Sequence, residues 1–226
     1  MQNRNHPGVY QNSIPVAGQF YTSSGYEGVL EGKFPTRGKL GQMKGNADQY
    51  ICNLIQKGKN NVPKTNGGLL WFLQGNNQYV TSATFLITAY ADFLARNKKT
   101  IQCLFGVVGS QDLINFARSQ VDYILGSNPN RLSYMVGFGP NYPKQVHHRG
   151  ASIVSIKKDP RPVGCGQGYV EWFNKNAENP NVIIGAIVAG PDQGDKFNDS
   201  RQNPGQTEPS TYNNAPFVGV LARLAS

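Results

Sequence analysis

From Gly41 onward, apolar positions recur at helical spacing. Met43, Ala47, Tyr50, Ile51 and Leu54 fall three or four residues apart and predict a first helix. Lys57 to Gly68 is a polar break rich in Asn and Gly. Leu86, Tyr90, Phe93 and Leu94 then predict a second amphipathic helix from about Thr81 to Arg96, with Arg96, Lys98 and Lys99 placed to complement the negative end of its dipole. The third pattern is the clearest: Leu113, Phe116, Ala117, Val121 and Ile124 form a stripe, Ser110 is the expected cap, Asp112 lies in the first turn and Gly126 ends the run. Ser127 to Pro209 reads as loops with short apolar pieces at Ile153 to Ile156 and Val182 to Val188. A last helix, Thr211 to Leu224, is expected to use Ala215, Val218, Leu221 and Ala222 as its apolar positions. Residues 1–37 are polar, rich in Gly and Pro and without a sustained period, and are expected to be loop. The pattern is that of an all-α framework with elaborate connections on one side.

Composition adds bounds. The chain has 226 residues, enough for one domain or a piece of a larger one, and its 26 Gly and 14 Pro fit long loops. Lys and Arg number 22 against 13 Asp and Glu, a formal charge of +9. The basic residues are scattered in small groups without a recognisable nucleic-acid module, so no nucleic-acid partner is expected. A solvated basic surface, suited to an acidic matrix, accounts for them. No apolar run approaches the ~20 residues of a bilayer span, so no membrane partner is expected. Met1 is followed by Gln, Asn, Arg, Asn and His, in which no secretory signal is read. Cys52, Cys103 and Cys165 are too far apart for a Cys-x-x-Cys metal pair; one disulfide with a free thiol and three free thiols both remain open.

Carboxylates are scarce, and four of the 13 lie in one Gly-, Pro-, Asn- and Gln-rich segment as Asp192, Asp195, Asp199 and Glu208. Taken alone, such a cluster reads as solvated loop charge. Its spelling is more specific. Phe197-Asn198-Asp199-Ser200-Arg201, followed by Thr207-Glu208-Pro209-Ser210-Thr211-Tyr212-Asn213-Asn214-Ala215, resembles the second active-site signature of family 9 glycoside hydrolases, with Pro204 where the family usually has an aromatic. Upstream, Ser133-Tyr134-Met135-Val136-Gly137-Phe138-Gly139-Pro140-Asn141-Tyr142-Pro143-Lys144-Gln145-Val146-His147-His148-Arg149 resembles the first signature with every defining position filled. Further stretches, including Gly67 to Leu73, Ser119 to Gly126 and Asn181 to Gly185, extend the resemblance from Val29 to the end.

The resemblance implies a plant-type endo-β-1,4-glucanase. The family fold is a six-fold α/α barrel, of which this chain is a partial, C-terminal portion with long active-site loops. Residues 1–28 are then a loosely ordered segment and 29–226 the partial catalytic domain. The implied catalytic set is His147, Asp199 and Glu208, with Glu208 as proton donor to the leaving oxygen of an inverting reaction. Such a donor is expected to be partly buried or to lie beside an anion, and Asp199 is the expected contributor. Arg149, Tyr212, Trp172 and Tyr142 are the implied substrate-binding residues, the aromatics offering flat faces to glucose rings. His148 occupies a position the signature leaves free. The implied partner is β-1,4-glucan, no cofactor is implied, and relatives of this kind act outside the cell, at the cell wall.

One part of the family pattern is missing. The family's catalytic base belongs to an Asp-Ala-Gly-Asp stretch, which this sequence does not contain. Asp192-Gln193-Gly194-Asp195 copies the spacing but aligns with a loop that precedes the second signature. Low or absent turnover and a non-catalytic glucan-binding role are both expected from this, as is association through apolar helix faces left uncovered.

Overall fold

The computed structural model describes residues 39–226, so the expectations for residues 1–37, and the segment 1–28, lie outside the described residues. In chain order the elements are helix α1 (Lys39–Leu54), α2 (Asn77–Arg96), strands β1 (Ile101–Cys103) and β2 (Gly106–Val108), α3 (Ser110–Ile124), short helices α4 (Arg149–Ser152) and α5 (Cys165–Gln167), a π-helical turn Gly168–Phe173, α6 (Pro204–Thr207) and α7 (Thr211–Ala225). The all-α class holds, with one small hairpin as its regular sheet among the described residues. The described residues form two compact units, 39–62 with 86–114, and 63–85 with 115–226.

In the first unit α1 buries Ala47, Ile51 and Leu54, as their spacing predicts, together with Cys52 and Ile55. Cys52 is disulfide-bonded to Cys103 on β1, and Cys165 is a free, exposed thiol, which selects one of the two open cysteine states. The antiparallel register Ile101↔Val108, Gln102↔Val107, Cys103↔Gly106 leaves Leu104 and Phe105 as a two-residue loop. Asp48 receives the Tyr90 hydroxyl and, at 2.5 Å, the Lys44 ammonium, which fixes the polar flank of α1. The start of α3 corrects an expectation. Ser110 is the first helical residue rather than the cap, and Asp112 reaches back so that its carboxylate accepts the Gly109 N–H at 2.9 Å.

In the second unit α3 ends as predicted. Gly126 adopts φ 122°, which a residue with a Cβ rarely takes, and the Ser127 N–H closes back on the Asp122 carbonyl at 2.8 Å. Helix α2 begins four residues before the expected Thr81. Its entry is set by tertiary hydrogen bonds: Asn76 Nδ2 donates to the Leu70 carbonyl at 2.7 Å, the Asn77 N–H to Ala189 at 2.9 Å and Asn77 Nδ2 to Val188 at 2.9 Å. Both asparagines are fully buried, so a locally polar pair is a core feature.

Helix α7 is capped by Ser210, whose hydroxyl accepts the Asn213 N–H, but its expected face is wrong. Phe217 and Val220 are buried with Asn213, whereas Ala215 and Ala222 are exposed and Val218 is 65% exposed. The inward rotation is dictated by Asn213 Nδ2, which donates to the Ile187 carbonyl at 2.7 Å, and by Asn214, which receives Ile187 N–H at 3.1 Å and donates to Gly185 at 2.7 Å. Gly219 lets α7 approach Phe85: a Cβ there would stand 2.5 Å from the ring. The apolar piece at Val182 to Val188 is not a strand; Ile187 and Val188 make isolated bridges to Met135 and Pro209.

Candidate active site

The two signature segments meet in the second unit. The His147 N–H donates to the Thr207 carbonyl at 3.1 Å, so the backbone of His147 is bonded to the residue before Glu208. Asp199 uses both carboxylate oxygens on the other loop, accepting the N–H of Lys144 at 2.7 Å and of Gln145 at 3.0 Å. A third link runs from His147 Nδ1 to the Arg201 carbonyl at 2.5 Å. A carbonyl only accepts, so Nδ1 carries the proton, and in the neutral ring Nε2 is left as an acceptor. His147, Asp199 and Glu208 are thus brought together by hydrogen bonds from residues 144–147 to residues 199–207.

Glu208 corrects a detail. It is exposed rather than partly buried, at the C-terminal end of α6, where its N–H donates to the Pro204 carbonyl at 3.1 Å. The carboxylate of Asp199 is half-buried and occupied by the Lys144 and Gln145 amides. Asp199 therefore holds the first loop.

Arg149 joins the group through aromatics. Phe173 stands edge-on to the His147 ring with centroids 5.3 Å apart, and the Arg149 guanidinium lies 4.9 Å over Phe173 and 5.4 Å over Tyr169. Trp172 is half-buried beside Phe173 in the π-helical turn. Tyr212 lies in the first turn of α7, four residues after Glu208, and is 72% exposed. Tyr142 has other neighbours: the Lys144 ammonium sits 3.5 Å over its ring, and it lines a cavity of about 60 Å³ with Val136, Glu178, Asn181 and Ile183. His148, at the position the signature leaves free, has two structural roles. Its Nδ1 caps α4 by accepting the Ala151 N–H at 3.0 Å, and it lines an open cleft of about 700 Å³ with Ile184, Pro209, Ser210, Thr211 and Asn214.

Sequence reasoning missed two residues that organise this region. Arg201 is 2% exposed; its guanidinium donates to the Asn179 side chain at 2.5 Å and to the carbonyls of Phe173 (3.1 Å), Lys175 (2.5 Å) and Ala177. Burial lowers the Arg201 pKa, and the Asp199 charge offsets part of that. Asp195 is 5% exposed, with φ 64°, and its carboxylate accepts the Gly67 N–H at 2.7 Å and the Tyr123 hydroxyl. Burial, then that hydrogen bond, raises the Tyr123 pKa. Asp192 accepts the N–H of Gly194 at 2.9 Å and of Lys196 at 2.8 Å, closing its own turn. Asp195 thus has both oxygens occupied, whereas Asp192 is exposed and uses only Oδ1.

Among the described residues no helix is long and apolar enough to cross a membrane. The family model described as glycosyl hydrolase family 9 matches residues 17–221. Endoglucanase 14 of Arabidopsis thaliana is 46% identical across 97% of this chain and 55% of its own length, and Endoglucanase 15 of Oryza sativa subsp. japonica is 50% identical across 88% of this chain and 33% of its own. This chain spans about half the length of the Arabidopsis relative. Endoglucanase CelQ from Clostridium thermocellum, solved with cellobiose and cellotriose, aligns with TM-score 0.65 at 29% identity over 88% of this chain and 30% of CelQ. The termite endoglucanase of Nasutitermes takasagoensis shares the fold, with TM-score 0.62 at 24% identity over 96% of this chain and 55% of the enzyme. With both signature loops joined and the helical framework shared, the chain belongs to glycosyl hydrolase family 9, and its helices are part of that family's α/α barrel.

Proposed function

We propose that this chain carries the proton-donor side of an endo-β-1,4-glucanase site and binds β-1,4-glucan without turning it over by itself. The carrying observation is the hydrogen bond from His147 N–H to the Thr207 carbonyl, which sets the sugar-binding loop against the donor Glu208. In this reading His147 Nε2 accepts a sugar hydroxyl, and Arg149, backed by Phe173, donates to the sugar. Trp172, Tyr212 and Tyr142 offer stacking faces for glucose rings. Glu208 stands on the proton-donor side; cleavage would need its proton on the glycosidic oxygen and a base-activated water on the anomeric carbon as the bond between them breaks.

Inversion requires a second carboxylate about 6.5–9.5 Å away to activate water. Asp199 is spent on the Lys144 and Gln145 amides and Asp195 on Gly67 and Tyr123, which favours a glucan-binding, base-less unit; Asp192 is exposed and uses only Oδ1 on its turn, so it is the carboxylate to test as a base. The Cys52–Cys103 disulfide supports an oxidising, extracellular location, as expected for a cell-wall protein. The test is purified chain on carboxymethyl-cellulose beside Glu208→Gln. Equal, background-level release from both is expected; wild-type release clearly above the variant would mean that a base is present.

A further inference from the structure

We infer that Arg201 is the positioning residue of this site, holding His147 in the Nδ1–H tautomer so that Nε2 faces the ligand as an acceptor. The inference deepens the glucan reading, since an acceptor nitrogen selects a hydroxyl donor, but its test does not depend on that reading. Two features of one residue carry it. The Arg201 carbonyl receives His147 Nδ1 at 2.5 Å, and the Arg201 guanidinium, almost wholly buried, ties down residues 173–179 by donating to three carbonyls and to Asn179.

Those two ends act on the same imidazole. Phe173, whose carbonyl the guanidinium holds, is the ring that stands edge-on to His147 at 5.3 Å and 87°. Asn179, which accepts from Arg201 Nε, donates its own Nδ2 to the Val146 carbonyl at 3.0 Å, next to His147 in the chain. The ring is thus fixed by an acceptor on one edge, an aromatic wall, and a tether on the preceding residue, all converging on Arg201. Lysine cannot replace this planar set of donors, because one ammonium cannot reach acceptors spread over Asn179, Phe173, Lys175 and Ala177. A free histidine side chain favours the other tautomer, so an Nδ1–H ring is a signature of the tether rather than of folding in general.

The experiment is nitrogen-15 histidine NMR of the whole chain at a pH where the imidazoles are neutral. The chain has three histidines, and His147→Gln identifies the resonance. Wild type is expected to show a pyrrole-like Nδ1 and a pyridine-like Nε2 at His147; an Nε2–H ring there would overturn the inference. Arg201→Met is expected to shift His147 toward Nε2–H with the helical circular dichroism retained, and an unchanged tautomer would overturn the role of the guanidinium. If Arg201→Met does not fold, Asn179→Ala, which removes one tether, decides the point: a partial shift supports the inference and no shift overturns it. A purely structural Arg201 would lower Tm in these variants and leave the tautomer alone. A wild-type Nδ1–H ring in a chain that binds no cello-oligosaccharide would sustain this inference while contradicting the glucan reading.

Discussion

The Asp199 carboxylate accepts the Lys144 N–H at 2.7 Å and, through its other oxygen, the Gln145 N–H at 3.0 Å, so one side chain joins the two signature loops. Hydrogen bonds to a charged acceptor contribute about 1.5–3 kcal/mol each. Asp199→Ala is therefore expected to lose about 2–4 kcal/mol in urea unfolding. The amides of Lys144 and Gln145 are expected to lose hydrogen-exchange protection, whereas Asp199→Asn, with one acceptor oxygen, keeps one link. Unchanged exchange at both amides in the Ala variant would contradict the linking role.

Asp195 is predicted to act in stability rather than chemistry. Its buried carboxylate holds the Gly67 amide and the Tyr123 hydroxyl, so Asp195→Ala leaves both donors unsatisfied and is expected to cost about 2–4 kcal/mol in denaturant unfolding. Tyr123→Phe removes one of the two bonds and is expected to cost less. A change in glucan binding by Asp195→Ala at undiminished stability would point instead to a direct role.

Alkaline pH reports on the neighbouring tyrosine cluster. Burial, above all, raises Tyr134 from 10.0 to about 12. A raised folded pKa stabilises the fold fully below pH 10, and that contribution is lost as pH rises through about 12. The stability lost across this window is on the order of 2 kcal/mol from this group, and Tyr134→Phe is expected to flatten the decline measured by denaturant titration at successive pH values. An equal decline in the variant would exclude Tyr134 as its source.

The legible parts of the fold are those set by local pattern. The α1 and α3 stripes and the Gly126 stop follow from spacing and backbone preference. The misreadings of α2, α7 and Arg201 share one cause, polar side chains spent on tertiary carbonyls. Asn76 and Asn77 extend α2, Asn213 turns α7 inward and Arg201 sits buried, and each reads as a surface residue until its acceptor is known. At the site, the signatures identified His147, Asp199 and Glu208 as neighbours. They did not reveal that Asp199 is bound to amides or that Glu208 is exposed, since both depend on how the loops fold over one another.

The outward face of α7 predicts association. Val218 is 65% exposed between exposed Ala215 and Ala222, one to two helical turns of apolar surface. Size-exclusion chromatography across protein concentrations is expected to show a concentration-dependent shift, reduced by Val218→Lys. Identical elution of both proteins at all concentrations would contradict it.

A site that holds glucan without cleaving it is read out by calorimetric titration of the chain with cellotetraose, followed by product analysis of the same sample after prolonged incubation. Saturable binding is expected, lost in His147→Ala and retained in Glu208→Gln, with the tetrasaccharide recovered intact. No binding by the wild-type chain, or release of shorter sugars by wild type and not by Glu208→Gln, would contradict it.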